Sequence, residues 1–346
     1  MRRYIAICKP LNKKQPRRAL KSLALILRNP SYLEKYKVIK MNIEVSVIIP
    51  NYNCKPYLAK AISSVVRQKN INCEILVIDD GSTDGSVEWL DNAKKTLSNI
   101  RVIKQKNTGV VGVRNKAIAE AKGEYIAFLD ADDYWTDDKL FDQISYMKNN
   151  SSCVLSFTNY MHVDEEYASI IDCFSYWPEF SKFIDSDHIG YQNLQSPMDL
   201  LIFANVIGTS SVVVKKSAIN YVGKFDNSLN SASDWDCWLK LARIGDVAFS
   251  QQISMGYLMR AGSITANRQN RLNAMKEIIS RCKNDIGIKT RLKAQARIFE
   301  CYGEYYREIG LKFKAFSLTA AAFMLFPHKR NFQHLLHDIK QSIKSP

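Results

Sequence analysis

An α/β fold with a mostly parallel sheet covered by helices is what the sequence predicts, and three observations carry that prediction. Strand-like and helix-like stretches alternate through the central segment in the order β-α-β-α-β-α-β. Three of the four strand-like stretches run straight into clusters of polar residues. The chain has 346 residues, of which 46% are hydrophobic, so it can bury a large core and disorder throughout is excluded.

The elements follow in order. Val45-Ser46-Val47-Ile48-Ile49 is β-branched and ends at Pro50, which reads as a buried strand with Pro50-Asn51-Tyr52-Asn53 at its carboxyl edge. Pro56 suits a first helical turn, and Leu58, Ile62, Val65 and Val66 follow at helical spacing. A second strand, Ile75 to Ile78, runs into Asp79-Asp80-Gly81-Ser82. Ser86 to Leu97 reads as helix, Arg101 to Ile103 as a short strand, and Val113 to Ala121 as a helix ending at Gly123. Tyr125 to Leu129 is a strand that delivers Asp130-Ala131-Asp132-Asp133. In such sheets ligands bind beyond the carboxyl ends of the strands, so these three polar clusters are candidate site residues. A single Asp there would usually be a cap or turn residue.

Between about 150 and 205 the periodicity weakens, and Tyr160, Tyr167, Phe174, Tyr176, Trp177 and Tyr191 lie among acids and turn formers. Loops and irregular strands lining a second ligand are expected there. Val206 to Val214 reads as a strand broken by Gly208-Thr209-Ser210-Ser211, and residues 235–242 as an amphipathic helix. From about 271 the pattern is helical, including Ile298 to Ile309 and Phe313 to Phe326.

The formal charge of +15 sits at the ends: residues 1–40 carry +11, 41–270 carry −5 and 271–346 carry +9. A nucleic-acid enzyme would be positive around its working cleft, so nucleic acid is not an expected partner. Basic flanks with interleaved apolar residues suit an anionic membrane surface, and Leu20, Leu23, Ala24 and Leu27 give residues 1–40 the face of a basic amphipathic helix. The longest mainly apolar run, Ala315 to Phe326, is shorter than the roughly 20 residues a spanning helix needs. The eight cysteines form no C-x-x-C pair and no zinc-finger spacing, and no secretory signal is legible. Free thiols in the cytoplasm are expected, with the protein held peripherally on the inner face of the cell membrane. A dinucleotide-dependent oxidoreductase is excluded, because Asn51-Tyr52-Asn53-Cys54 stands where a G-x-G-x-x-G turn would be required.

Asp130-Ala131-Asp132 puts two carboxylates on one side of an extended or turning segment, a geometry that suits a hard divalent cation shared with substrate phosphates. With it, Ser46 to Asn53, Val77 to Gly85, Asn107-Thr108-Gly109 with Val113-Arg114-Asn115, and Tyr125 to Asp133 together resemble the family 2 glycosyltransferases of the GT-A fold. The match is specific over about 44–140. It continues more loosely to about 265 through Gly208 to Ser211, Gly223 to Asp226 and Ser233 to Asp236.

The resemblance implies a Rossmann-like sheet with helices on both faces and a C-terminal helical extension. It covers a nucleotide-sugar-binding part (41–150) and an acceptor-binding part (151–270), to which charge and helical pattern add a basic amphipathic extension (1–40) and a basic helical region (271–346). It implies metal-dependent, inverting transfer, with Mn2+ or Mg2+, from a nucleoside-diphosphate sugar, UDP-sugar favoured, to a lipid-linked or polysaccharide acceptor. Residue by residue, Pro50 and Tyr52 match positions that hold the base, Asp80 one that accepts from it, and Arg114 a basic residue on the nucleotide. Asp130 and Asp132 match the metal motif, Asp130 also facing the nucleotide sugar and Asp132 as the direct ligand. Asp234 falls where the family keeps its general base, as the second residue of a Glu-Asp pair whose first residue is here Ser233. Asp236 is the competing base, and a helix cap is the competing role for Asp234. Arg260 could reach the diphosphate or lie over apolar surface. A catalytically silent nucleotide-sugar-binding partner is the alternative function, against which the retained carboxylates argue.

Overall fold

β-Branched runs too apolar to face water on either side dictate a parallel sheet. β1 (Val45–Asn51), β2 (Cys73–Asp79), β3 (Ile100–Lys104) and β4 (Tyr125–Phe128) pair in parallel in the order β3-β2-β1-β4, and β1, β2 and β4 are buried almost throughout. The computed structural model describes residues 43–177, 180, 182–184, 188–260, 268–327 and 329–343, so the basic segment 1–40 lies outside the described residues. The chain divides into two compact units. The first takes the described residues of Met1–Leu194, Val206–Phe225 and Ile244–Ala261, and the second those of Gln195–Asn205, Asp226–Arg243 and Gly262–Pro346.

In the first unit the sheet continues through β9 (Val213–Lys215), β6 (Cys153–Val163), β10 (Asp246–Leu258) and β5 (Tyr134–Trp135). β7 (Ser169–Asp172) pairs with β6, and β8 (Tyr191–Asn193) with β10. β9 runs against both β4 and β6, and β10 runs with β6. Hence β1 to β4, β6 and β10 all point the same way, and the mostly parallel sheet is borne out. The chain steps outward from β1 to β3 and then returns to β4 on the other side of β1. The carboxyl ends of β1 and β4 therefore flank a topological switch point.

Several boundaries differ from the sequence reading, among them the helix read to Leu97, which ends at Ala93. The helix expected from Val113 begins at Gly109 (Gly109–Glu120), because an outside carboxylate takes its first N–H groups. The strand expected over 206–214 shrinks to β9, with Thr209–Ser211 a 3-10 turn whose hydroxyls bond locally and to Asp133. The region 150–205, expected to be irregular, contains the eleven-residue strand β6. Its buried Ser156, Thr158 and Asn159 hide the apolar run, yet each is satisfied: Gln143 Nε2 donates to Ser156 Oγ (3.1 Å), Ser254 Oγ to Thr158 Oγ1 (2.6 Å), and Asn159 Nδ2 to Asp172 Oδ1 (2.8 Å). Phe174 is core rather than ligand lining, packed on Phe180 and Phe157 at 4.5 and 6.2 Å between ring centroids. Tyr160 is buried as well.

The second unit is helical. In Ser233–Ala242, Trp235, Cys237, Trp238, Leu239 and Leu241 are buried, and Trp235 Nε1–H donates to Leu201 O (2.7 Å). The C-terminal helices are Arg268–Arg281, Ile288–Glu308, Lys312–Leu325 and Lys329–Ile343. Arg307 binds Asp338 through Nε (2.6 Å) and Nη2 (2.8 Å), and buried Glu300 is matched by Arg297 (2.7 Å) and Arg330 (2.9 Å). No described helix is long and apolar enough to cross a membrane. Seven cysteines are described, all free and buried.

One buried carboxylate ties the first unit together beneath the sheet. Glu74 accepts from Ser46 Oγ (2.6 Å), Lys122 N (2.7 Å) and Arg101 Nη1 (2.9 Å), and Ser46 Oγ also accepts from Gly123 N (2.8 Å). At Gly123 a Cβ would lie 2.5 Å from Ser46 N, so only glycine admits this approach. Burial would raise the Glu74 carboxyl, but the bonds from Ser46, Arg101 and Lys122 outweigh it and hold the group below its ordinary value. Its stabilising contribution is therefore complete above the ordinary glutamate value of about 4.3 and is lost as pH falls through the depressed folded value. Glu74→Gln should cost about 1–3 kcal/mol in urea unfolding at neutral pH, with the difference from wild type shrinking on acidification. An unchanged midpoint would remove Glu74 from this role.

Candidate active site

The site grows from the loops that follow the parallel strands, all within the first unit. After β1 the chain turns at Asn53, whose φ of 52° is left-handed. Asn51 Nδ2 donates to Asp79 Oδ2 (2.7 Å) and Ser82 Oγ (3.1 Å), and Thr83 N donates to Asn53 Oδ1 (2.8 Å). These bonds lace the loop after β1 to the loop after β2 and leave the Tyr52 ring 52% exposed beside Pro50.

Asp80 is 2% exposed. Its Oδ1 accepts from Gln105 Nε2 (2.7 Å) and Thr108 N (2.9 Å), and its Oδ2 from Gly109 N (2.9 Å). The carboxylate thus sits at the positive end of the helix Gly109–Glu120, where backbone N–H groups favour negative charge. Gly109, at φ 77°, gives the backbone the turn that aims this N–H at Asp80. Sequence reasoning gave Asp80 no such duty.

Further along the same helix, Arg114 Nη2 donates to Asp130 Oδ1 (2.7 Å), and its guanidinium lies 5.5 Å from the Phe225 ring centroid. Arg260, two residues beyond β10, donates through Nε to Asp132 Oδ2 (2.7 Å). β10 runs parallel to β4, so both strands deliver their ends to one edge of the sheet. Burial first, and the neighbouring Asp130 charge second, raise the Asp132 carboxyl above its ordinary value, against the pull of Arg260. Burial also raises the nearby Cys54 thiol to about 11, with Asp132 adding to it.

Asp133 is fully enclosed and organises this edge. Its Oδ2 accepts from Ser210 Oγ (2.6 Å) and its Oδ1 from Leu258 N (3.0 Å), while Asp130 N donates to the same Ser210 hydroxyl (2.9 Å). Trp135 Nε1–H donates to Ser210 O (2.7 Å). The sequence reading quoted Ser210 only as part of a motif and gave no role to Asp133. The signal was present as a run of hydroxyls inside an otherwise apolar stretch. Asp130 and Asp132, two residues apart on this turn and each paired with an arginine, offer oxygen donors of the kind a hard divalent cation takes.

In the second unit, Asp234 lies second in the helix Ser233–Ala242. The N-cap is Ala232, at φ 54°, so Asp234 is not the cap; its Oδ1 accepts from Trp235 N (2.9 Å). Asp236 is 5% exposed and ion-paired with Lys240 (3.0 Å) and Arg281 (3.4 Å). Elsewhere in that unit Glu300, Glu304 and His334 converge within 4.8 Å. Glu300 is committed to Arg297 and Arg330, and Glu304 to Arg268, which leaves a cation little to bind.

A switch-point sheet with a paired-carboxylate turn after β4 is the arrangement expected of the GT-A fold, and the comparisons with known proteins bear that fold out. The family model for glycosyl transferase family 2 matches residues 46–198. TuaG of Bacillus subtilis (strain 168) is 30% identical over 226 residues, covering 65% of this chain and 82% of TuaG. The UDP-Glc:alpha-D-GlcNAc-diphosphoundecaprenol beta-1,3-glucosyltransferase WfaP of Escherichia coli is 31% identical over 249 residues, covering 71% and 87%. The chain belongs to glycosyl transferase family 2 and is a glycosyltransferase. Solved structures share the fold: S. aureus TarS 1-349 in complex with UDP-GlcNAc has a TM-score of 0.59 at 18% identity, covering 82% of each chain. The mannosyltransferase PcManGT from Pyrobaculum calidifontis, in complex with GDP-Man and Mn2+, has a TM-score of 0.57 at 15% identity, covering 97% and 93%.

Ser210→Ala would leave Asp133 buried with one donor fewer and free the N–H of Asp130. A loss of about 1–3 kcal/mol is expected in equilibrium unfolding. A loss below a few tenths would show that the Asp133 clamp contributes no stability.

Proposed function

We propose that this glycosyltransferase moves a sugar, with inversion, from a nucleoside-diphosphate sugar to a hydroxyl of a lipid-linked or polysaccharide acceptor. The observation that carries the reading is the Asp130–Asp132 turn at the carboxyl edge of β4, flanked by the Tyr52–Asp80 loops and by two guanidinium groups. UDP is the favoured nucleotide, in keeping with WfaP, named for UDP-Glc, and with the TarS complex with UDP-GlcNAc. The lipid-linked acceptor draws on the diphosphoundecaprenol in the name of WfaP, and the polysaccharide acceptor on the chondroitin synthase of Escherichia coli, 26% identical over 250 residues covering 33% of that protein.

In this reading the Pro50 backbone and the Tyr52 ring hold the base, Asp80 accepts from it, and Arg114 and Asp130 face the nucleotide sugar. Asp130 and Asp132 would hold Mn2+ or Mg2+, which would supply positive charge against the diphosphate; PcManGT was solved in complex with GDP-Man and Mn2+. Asp234 takes the proton of the acceptor hydroxyl as that oxygen attacks the anomeric carbon from the face opposite the diphosphate. The engagement of Asp236 by Lys240 and Arg281 supports Asp234 as the base. The donor part ends near residue 150 and the acceptor part near 270.

Peripheral attachment to the cytoplasmic face of the membrane belongs to the same proposal. On Lys312–Leu325, Phe313 is 82% and Met324 76% exposed, eleven residues apart and so on one face, with Lys312 and Lys314 exposed beside Phe313. Phe332, Leu336 and Ile339 form a second exposed apolar stripe. Phe323 packs against Phe332 at 5.7 Å between ring centroids.

Asp132→Asn should abolish transfer with the fold kept, and a chelator should reproduce the effect; full activity in EDTA would refute the metal role. Asp234→Asn should lower turnover about 10²–10⁴-fold with nucleotide affinity retained. Normal turnover, together with loss in Asp236→Asn, would move the base. Phe313→Asp with Met324→Asp should weaken co-sedimentation with anionic vesicles, and wild-type binding by that variant would exclude this face.

A further inference from the structure

Both carboxylates assigned to the metal are already matched by an arginine, Asp130 by Arg114 and Asp132 by Arg260, each at 2.7 Å. The two arginines are held differently. Arg114 stands mid-helix with a side chain 7% exposed, over the Phe225 ring. Arg260 follows the end of β10 with a side chain 24% exposed. Its other contacts are weak: Nη2 lies 3.5 Å from Cys54 Sγ, and the guanidinium 5.3 Å from the Tyr57 ring centroid. One arginine is anchored and the other can be exchanged.

Charge decides when that exchange is favourable. With both pairs made, the four side chains are neutral as a group. A divalent cation entering alone must displace Arg260 or sit beside it, and either way the cluster gains two positive charges in a partly desolvated site. A nucleoside diphosphate arriving with the cation cancels that excess and offers Arg260 phosphate oxygens, to which a guanidinium binds as well as to a carboxylate.

We propose that Arg260 is the resident counter-ion of Asp132, released only when a nucleoside diphosphate brings the divalent cation, so that cation and nucleotide bind as one event. This rests on the assignment of Asp130 and Asp132 to the metal. Arg260 thereby acts as a positioning residue, keeping Asp132 oriented between turnovers and making occupancy by the bare ion rare.

The test is Mn2+ binding to the full chain, followed by electron paramagnetic resonance with and without saturating UDP, in wild type, Arg260→Gln and Arg260→Lys. Melting temperatures establish that each variant is folded. Wild type should bind free Mn2+ weakly and gain about tenfold or more with UDP, within the 5–150-fold usual for coupled sites. Arg260→Gln should bind Mn2+ without UDP about tenfold more tightly than wild type and lose most of the coupling, and Arg260→Lys, which keeps the charge, should restore weak binding of the bare ion. Equal Mn2+ affinity in Arg260→Gln and wild type without UDP overturns the exchange and leaves the metal assignment standing. The same holds if wild type binds Mn2+ equally well with and without UDP. Absence of Mn2+ binding under both conditions, with UDP and with GDP, overturns the two together.

Discussion

A carboxylate buried away from water is costly unless donors surround it, and Asp133 meets that requirement by drawing three distant pieces of chain to one point. Ser210 Oγ and Leu258 N supply its donors, and the same serine oxygen accepts the N–H of Asp130. Burial, followed by the charges of Asp132 and Asp130, raises the Asp133 carboxyl well above its ordinary value, against the pull of the bonds from Ser210 and Leu258. They join the turn after β4 to the end of β10, which pairing with β5 also holds there. The orientation of Asp130 and Asp132 and the reach of Arg260 both descend from this contact.

Much of the nucleotide half was legible because its strands are uniformly apolar and its polar residues gather where strands end. Val47, Ile48, Ile49, Ile75 and Val77 announce themselves in any window of a few residues, and Asp80, Asp130 and Asp132 stand at fixed offsets from them. β6 was not legible. Its Ser156, Thr158 and Asn159 look like loop residues until Gln143, Ser254 and Asp172 are seen to satisfy them, and Ser254 lies 96 residues from its partner. Phe174 was read as a ligand contact for the same reason, since only the fold brings Phe157, Phe180 and Phe249 around it. Site residues that act through backbone donors, such as Asp80 on Gly109, leave a trace only as a helix that begins four residues before its apolar pattern does.

Arginine does much of the organising in both units. In the first it matches the carboxylates of the β4 turn. In the second, Arg281 donates to Asp226 (2.7 Å), and Ser228 N first, with Arg281 after, lowers that carboxyl to about 2. Arg281 also reaches Asp236, so the acids around Asp234 are engaged inside their own unit. The planar five-donor fork suits this use, because one guanidinium can serve two acids at once without losing its charge.

The bond between Asp133 and Leu258 spans 125 residues, and the one between Asp130 and Ser210 spans 80. Contacts so far apart in sequence form late, since the closure entropy of the intervening chain must be met first. On the ribosome the first four strands can pair while β9 and β10 are still unmade, so a nascent chain stopped near residue 200 would display every signature motif of the donor half and still lack the clamp that aims them. Completion of this edge is thus tied to synthesis of β10, which brings the last of its donors.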